Sequence, residues 1–367
     1  MSLISSRVGI LQRVLPDYRQ PFFDLLASEC EGGLSVFAGQ PRPDENIVEG
    51  KGLQTAQRFP GRNIHLLRSP FSLCWQSGVT NWLEEWQPEV LIVEANPRYL
   101  STPAAIRWMH NRQRPVIGWG LGLQTVAGGF KGLRWQLRKG YLKQFDALIV
   151  YSRAGKEAYI TSGFPADRIF VAPNAVAPRP LTAINPRAVK KSGERLTVLF
   201  VGRLQDRKRV DLLIRSCAAL PPGLQPELII AGDGPARFRL EQLAEELYPS
   251  ARFSGDARGP QLDQLFDQAD LFVLPGSGGL AVQQALAHAL PILMAEGDGT
   301  QSELVRPQNG WLVPPGDQEE LTTILTEALK DPARLVSMGQ ESLRIAVEDV
   351  NLEKMVQVFA EAIKQVS

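Results

Sequence analysis

Leu271-Phe272-Val273-Leu274-Pro275-Gly276-Ser277-Gly278-Gly279-Leu280 reads as a buried strand running into a glycine-rich turn, with an apolar helix opening at Leu280. Glycine lets a backbone approach a ligand closely. A helix start adds free N–H groups and the positive end of its dipole. Together these make an anion or phosphate site. Three glycines in four positions, at 276, 278 and 279, exceed what a plain strand-to-helix turn requires, which is the alternative use of such a segment.

The same strand-then-helix grammar extends in both directions. Short apolar runs at Val8–Leu11, Leu34–Ala38, Ile64–Leu67, Val90–Val93, Val116–Trp119, Ala147–Tyr151 and Ile169–Ala172 form one series. Leu196–Val201, Leu228–Ala231, Leu271–Leu274 and Pro291–Ala295 form a second. Segments of helical length separate many of them, and alternation of this kind specifies parallel sheets covered by helices. Val210, Leu213, Ile214, Cys217 and Ala218 make one helical face, and Leu321, Ile324, Leu325, Ala328 and Leu329 repeat it. Leu352, Met355, Val356, Phe359, Ala360 and Ile363 predict a last apolar-faced helix, with Asp349 and Asn351 as N-terminal caps. Between the series, Pro173 to Glu194 carries four prolines and a Lys-Lys-Ser-Gly run, so regular structure breaks there. The expectation is an α/β chain of two Rossmann-like domains, 1–185 and 186–345, followed by a helical segment 346–367.

Composition narrows the function. With 40 Lys+Arg against 39 Asp+Glu in 367 residues, the net charge of +1 removes the field of a dedicated nucleic-acid binder. Cys30, Cys74 and Cys217 are too few and too scattered for a disulfide framework. His65, His110 and His288 share no metal-ligand spacing. No Asp-x-Asp pair, phosphate-loop motif or Gly-x-Ser-x-Gly elbow occurs. No metal or other cofactor is expected. The N-terminal stretch has no apolar core of signal-peptide length and no window reaches the ~18 apolar residues of a membrane span, so a soluble cytoplasmic protein is expected.

Two basic clusters stand out. In Val201-Gly202-Arg203-Leu204-Gln205-Asp206-Arg207-Lys208-Arg209 a strand ends, Gly202 turns the chain, and four cations follow before a helix. On a loop after a strand's carboxyl end, Arg203 and Lys208 are placed to clamp a diphosphate; otherwise this is a solvated charged loop. Phe130 to Phe145 interleaves Lys131, Arg134, Arg138, Lys139 and Lys143 with Leu133, Trp135, Leu137, Tyr141 and Leu142. Such a helix either lies on anionic lipid, as a peripheral membrane contact through Lys131–Lys143, or packs its apolar side on the sheet. A third pattern competes with the phosphate reading: Gly276-x-Gly278-x-x-Ala281, with Glu296 20 positions after Gly276, mimics the dinucleotide fingerprint of an oxidoreductase.

In order along the chain, these features resemble glycosyltransferase family 4, retaining enzymes of the GT-B fold. The resemblance rests on Phe164-Pro165-Ala166-Asp167-Arg168-Ile169-Phe170-Val171-Ala172-Pro173-Asn174 and on Val201-Gly202-Arg203-Leu204 with Lys208. It continues through Leu228-Ile229-Ile230-Ala231-Gly232-Asp233-Gly234-Pro235, Ala269–Pro275 and Asn309-Gly310-Trp311-Leu312-Val313-Pro314-Pro315-Gly316-Asp317. It implies parallel sheets facing across a cleft, a last helix that crosses back to the first domain, and a role in cell-envelope or polysaccharide synthesis. It further implies a nucleotide-diphosphate sugar as donor, a glycan or lipid-linked acceptor and no metal. Arg203 and Lys208 would stabilise the departing diphosphate. Gly202, Gly276, Ser277, Gly278, Gly279, Leu280 and Gln284 would contact the donor, and Tyr18, Arg19 and Leu121 would stand on the acceptor side.

The chain also departs from that pattern. The family's two glutamates, eight positions apart, align with Gly276 and Gln284. Leu121 stands where a first-domain histidine is common, and Leu15–Phe23 replaces a glycine-rich acceptor loop. Gln284 keeps an amide oxygen as acceptor without the charge. A degenerate, non-catalytic binding subunit is the alternative these substitutions raise.

Overall fold

The apolar runs become the strands of two parallel sheets. The computed structural model describes residues 3–367 apart from 44, 46, 51, 67–71, 122–139, 181–186, 192–193 and 298. The chain divides into one unit of Met1–Val176 with Leu352–Ser367 and a second of Ala177–Asn351.

The first unit contains β1 (Val8–Val14), β2 (Leu34–Gly39), β3 (Gln57–Pro60), β4 (Arg62–Leu66), β5 (Leu73–Ser77), β6 (Val90–Glu94), β7 (Val116–Gly120), β8 (Ala147–Val150) and β9 (Ile169–Val171). Seven of them form a sheet ordered β3-β2-β1-β6-β7-β8-β9, every neighbouring pair parallel. β4 and β5 stand apart as an antiparallel pair. Ile64–Leu66, within the run Ile64–Leu67 expected as a strand of the parallel series, pairs antiparallel with β5 instead. Its alternation explains this: Ile64 and Leu66 are exposed while Asn63 and His65 are half-buried, and a strand buried on both faces cannot alternate.

The second unit holds β10 (Thr197–Val201), β11 (Glu227–Ala231), β12 (Arg252–Gly255), β13 (Leu271–Leu274), β14 (Ile292–Ala295) and β15 (Gly310–Val313). Their order, β12-β11-β10-β13-β14-β15, is parallel throughout. Counted within the unit this is 3-2-1-4-5-6, the doubly wound dinucleotide-fold order, whose direction reverses between its first and fourth strands. The expected helical faces are buried: Val210, Leu213, Ile214 and Cys217 in Val210–Ala219, and all five positions in Gln318–Lys330.

Both crossings between the units are anchored. Ala172 and Ala175 are fully buried in the first unit, and the Arg19 guanidinium donates to the Ala175 carbonyl at 2.9 Å and to Asn174 Oδ1. Arg187 is fixed to the second unit, donating to the carbonyls of Phe266, Asp267, Ala269 and His288. The passage thus begins at residue 177, ahead of the expected boundary near 185, because residues 172–175 are still held by first-unit packing. The return passage is at 351/352, and the helix Leu352–Val366 belongs to the first unit. Phe359 packs edge-on against Phe22 (4.8 Å between centroids) and Trp119 (5.0 Å). Asn351, expected as a cap, donates from its amide to the Ala346 and Val347 carbonyls and so closes the preceding helix, Pro332–Glu348.

The basic segment Lys131–Lys143 falls almost wholly outside the described residues. At its end, Leu142 and Phe145 are buried in the first unit's core. No described helix is long and apolar enough to cross a membrane.

Candidate active site

Ligands of doubly wound sheets bind beyond the strand carboxyl ends where the order reverses. In the second unit that point lies between β10 and β13. Their register (Val198 beside Leu271, Leu199 beside Phe272) brings their ends level. The two loops that sequence reading marked, Gly202–Arg209 after β10 and Pro275–Leu280 after β13, therefore meet. They are some 70 residues apart in the chain, and nothing local in either announces the other.

The junction is made backbone to backbone. Ser277 N–H donates to the Arg207 carbonyl at 3.0 Å, and the Ser277 hydroxyl points to the same oxygen at 3.4 Å. A side chain at Gly276 would overlap that carbonyl and come within 2.6 Å of Lys208 Cα. Glycine at 276 is thus a steric requirement of the contact, and no carboxylate fits there without moving a loop. On the other side, Gly232 and Gly234 of the turn after β11 press equally closely on the carbonyls of Gly202 and Leu204. Leu204 N–H donates to Asp233 O (2.9 Å) and Ala236 N–H to Leu204 O (3.0 Å). The β10 loop is clamped from both flanks, which fixes where its cations stand.

Lys208 is buried, and its ammonium enters the glycine loop, donating to Ser277 O at 2.8 Å and to Gly278 O. Burial, reinforced by the neighbouring charge of Arg207, pushes its pKa down to about 8. Arg203 is exposed and makes no hydrogen bond among the described residues. Arg207 is exposed too and donates from Nε to Gln205 Oε1 at 3.0 Å. Arg209 adopts a left-handed backbone (φ 51) and pairs with Asp211 at 3.2 Å.

Ser277, Gly278 and Gly279 are exposed, and Leu280 is half-buried at the start of the short helix Ala281–Ala287. Gln284, half-buried, lies on that helix. Among the described residues no group of three His, Cys, Asp or Glu is arranged to hold a metal.

Two family models match in succession. Residues 28–175 match the glycosyl transferase 4-like domain, and residues 182–344 match glycosyl transferases group 1. The chain belongs to the family 4 type of glycosyltransferases. It is 30% identical over 211 residues to a D-inositol 3-phosphate glycosyltransferase of Thermobispora bispora, covering 53% of this chain and 49% of that protein. It is 23% identical over 297 residues to the lipopolysaccharide core biosynthesis glycosyltransferase LpsE of Rhizobium meliloti, 74% and 86% of the two chains. The chain spans about half the length, or less, of the first curated relatives it matches. Among solved structures, Anabaena HepE in complex with UDP has the same fold, with a TM-score of 0.71 at 16% identity over 98% of this chain and 99% of that one. Membership in this family displaces the oxidoreductase reading of Gly276, Gly278 and Glu296.

The first unit of this family 4 chain has its own reversal, between β1 and β6. Tyr18 and Arg19 lie on the loop after β1, and Leu121 just past β7; Tyr18 and Leu121 are exposed. Arg19 is buried instead, its guanidinium committed to the 174–175 segment and 5.8 Å above the Trp119 ring. A residue that sequence reading passed over is Glu94, the last of β6. Its carboxylate accepts the Arg13 N–H at 2.7 Å, and burial pushes its pKa up against the opposing pull of Arg13 and Arg19. Arg13 in turn donates to Glu45 at 2.8 Å. The available signal was an acid at the end of an apolar run, Val90-Leu91-Ile92-Val93-Glu94.

Proposed function

We propose that this chain transfers a sugar, with retention at the anomeric carbon and without a metal, from a nucleotide-diphosphate sugar to a glycan or lipid-linked acceptor. The observation that carries the reading is Lys208 inside the glycine loop, with the exposed and uncommitted Arg203 on the same loop after β10, at the sheet's reversal point. As the bond from the anomeric carbon to the phosphate oxygen breaks, charge grows on the departing diphosphate. Preorganised cations stabilise that charge more than they stabilise the ground state. The acceptor oxygen bonds to the anomeric carbon on the same face, and its proton passes to a departing phosphate oxygen. This route needs no protein carboxylate beside the sugar, which suits a loop in which Gly276 can carry no side chain. The UDP complex of HepE and the lipopolysaccharide core role in LpsE's name support the class of donor and acceptor.

The test is turnover with a panel of nucleotide sugars against glycan and lipid-linked acceptors. Product formation that Arg203→Ala abolishes supports the proposal, whereas turnover indifferent to that change refutes it. Donor binding without turnover on any acceptor would establish the binding-subunit alternative, and a large gain in Gln284→Glu would then mark a damaged site.

A further inference from the structure

Resting on the donor reading above, we infer that the transferred sugar carries a carboxylate: the donor is an acidic nucleotide sugar of the uronic acid class, whose acid group Arg207 recognises.

Hydrogen-bonding groups at the glycine loop are weighted toward donors. A neutral sugar presents hydroxyl groups, which need acceptors as well as donors. The carbonyls of Ser277 and Gly278 each already accept from the Lys208 ammonium. The Arg207 carbonyl is taken by the N–H and hydroxyl of Ser277. The packing at Gly276 closes the loop to any carboxylate side chain. Carboxylates on the neighbouring loops are engaged: Asp206 pairs with Arg239, Asp211 with Arg209 and Asp233 with Arg237. Glu296 lies one strand further along, after β14.

What stands unengaged beside the loop is a charged donor. The Arg207 guanidinium is exposed beside the loop, its Nη1 3.7 Å from where a Cβ on Gly278 would stand, and only its Nε is occupied, by Gln205. An ionised carboxylate on a sugar only accepts, and a guanidinium receives it through two parallel bonds. The charge count agrees. A nucleotide-sugar diphosphate brings two negative charges, which Arg203 and Lys208 balance, leaving Arg207 as a third cation for a third negative charge.

The experiment is titration calorimetry on the full chain. UDP, GDP, ADP and TDP come first, to find the base that binds. The uronic acid nucleotide of that base is then compared with its neutral hexose counterpart, UDP-glucuronic acid with UDP-glucose where UDP binds. The expected result is roughly tenfold or more tighter binding of the acidic donor, the scale of one charge-assisted pair. In Arg207→Gln that ratio falls toward one, and in Arg207→Lys, which keeps the charge without the fork, it falls only part of the way. A ratio at or below one in the unmodified chain overturns the inference, as does a ratio that Arg207→Gln leaves intact. Because each ratio is taken within one protein sample, partial misfolding of a variant does not mimic either outcome. Binding of a nucleoside diphosphate with no acid preference sinks this inference alone. No binding of any nucleoside diphosphate sinks the transferase proposal as well.

Discussion

Raising the pH from about 7 to about 9 should weaken donor binding in a way that an ordinary lysine would not produce. Lys208 titrates at about 8 in the free protein, because burial and the charge of Arg207 both disfavour its ammonium form. An anionic diphosphate binds the charged form preferentially, so the bound-state pKa lies above the free one. The sign follows: affinity is level below the free pKa and falls as pH rises through it, until the bound-state pKa is reached. With a free pKa near 8, roughly nine-tenths of the molecules carry the charge at about pH 7 and roughly one-tenth at about pH 9. The expected loss is close to tenfold, or ~1.4 kcal/mol. Calorimetry or quenching of intrinsic fluorescence with a nucleotide sugar is the assay. The sugar nucleotide is preferred to the free diphosphate because its two phosphates hold constant charge across the window. Lys208→Arg, charged at every pH in the series, should bind with a flat profile. A flat profile in the unmodified chain, or the same slope in Lys208→Arg, would refute the assignment of Lys208 to the diphosphate.

Two further outcomes test the loop and the fold. Gly276→Ala places a methyl against the Arg207 carbonyl, and forcing the loops apart should cost about 1–3 kcal/mol and lower kcat/KM at least tenfold, read by denaturant titration and steady-state kinetics. Phe359→Ala empties a fully buried site between Phe22 and Trp119 and should cost about 3–5 kcal/mol, seen as an early transition for the first unit in a thermal melt.

Central strands were legible in the sequence because they are buried on both faces and read as continuous apolar runs, as in Val198-Leu199-Phe200 or Leu271–Leu274. The edge strands β3 and β12 were not. Gln57–Pro60 and Arg252–Gly255 show partly exposed patterns whose composition matches a loop, and only pairing with β2 and β11 makes them strands. At the site, Arg203, Lys208 and the glycines could be picked out singly, since each follows a strand end. Their relation could not. The Lys208 hydrogen bonds to Ser277 and Gly278 exist because strand order places β10 beside β13, and Gly276 looks like a lost carboxylate until the backbone of Arg207 is seen against it. Arg19 illustrates the converse. A charged residue in a polar loop suggested ligand contact, but its partners, Asn174 and Ala175, lie about 155 residues away in the chain.

The placement of Leu352–Val366 in the first unit has a consequence for the order of events during synthesis. Residues 1–176 leave the ribosome first, yet Phe22 and Trp119 lack their partner Phe359 until the final stretch is translated. The middle of the chain forms a self-contained nucleotide-fold unit in the meantime, since both of its ends are already available. The earliest residues therefore finish folding last, and until then an aromatic surface near Trp119 stays uncovered for a chaperone, or for another nascent chain, to find.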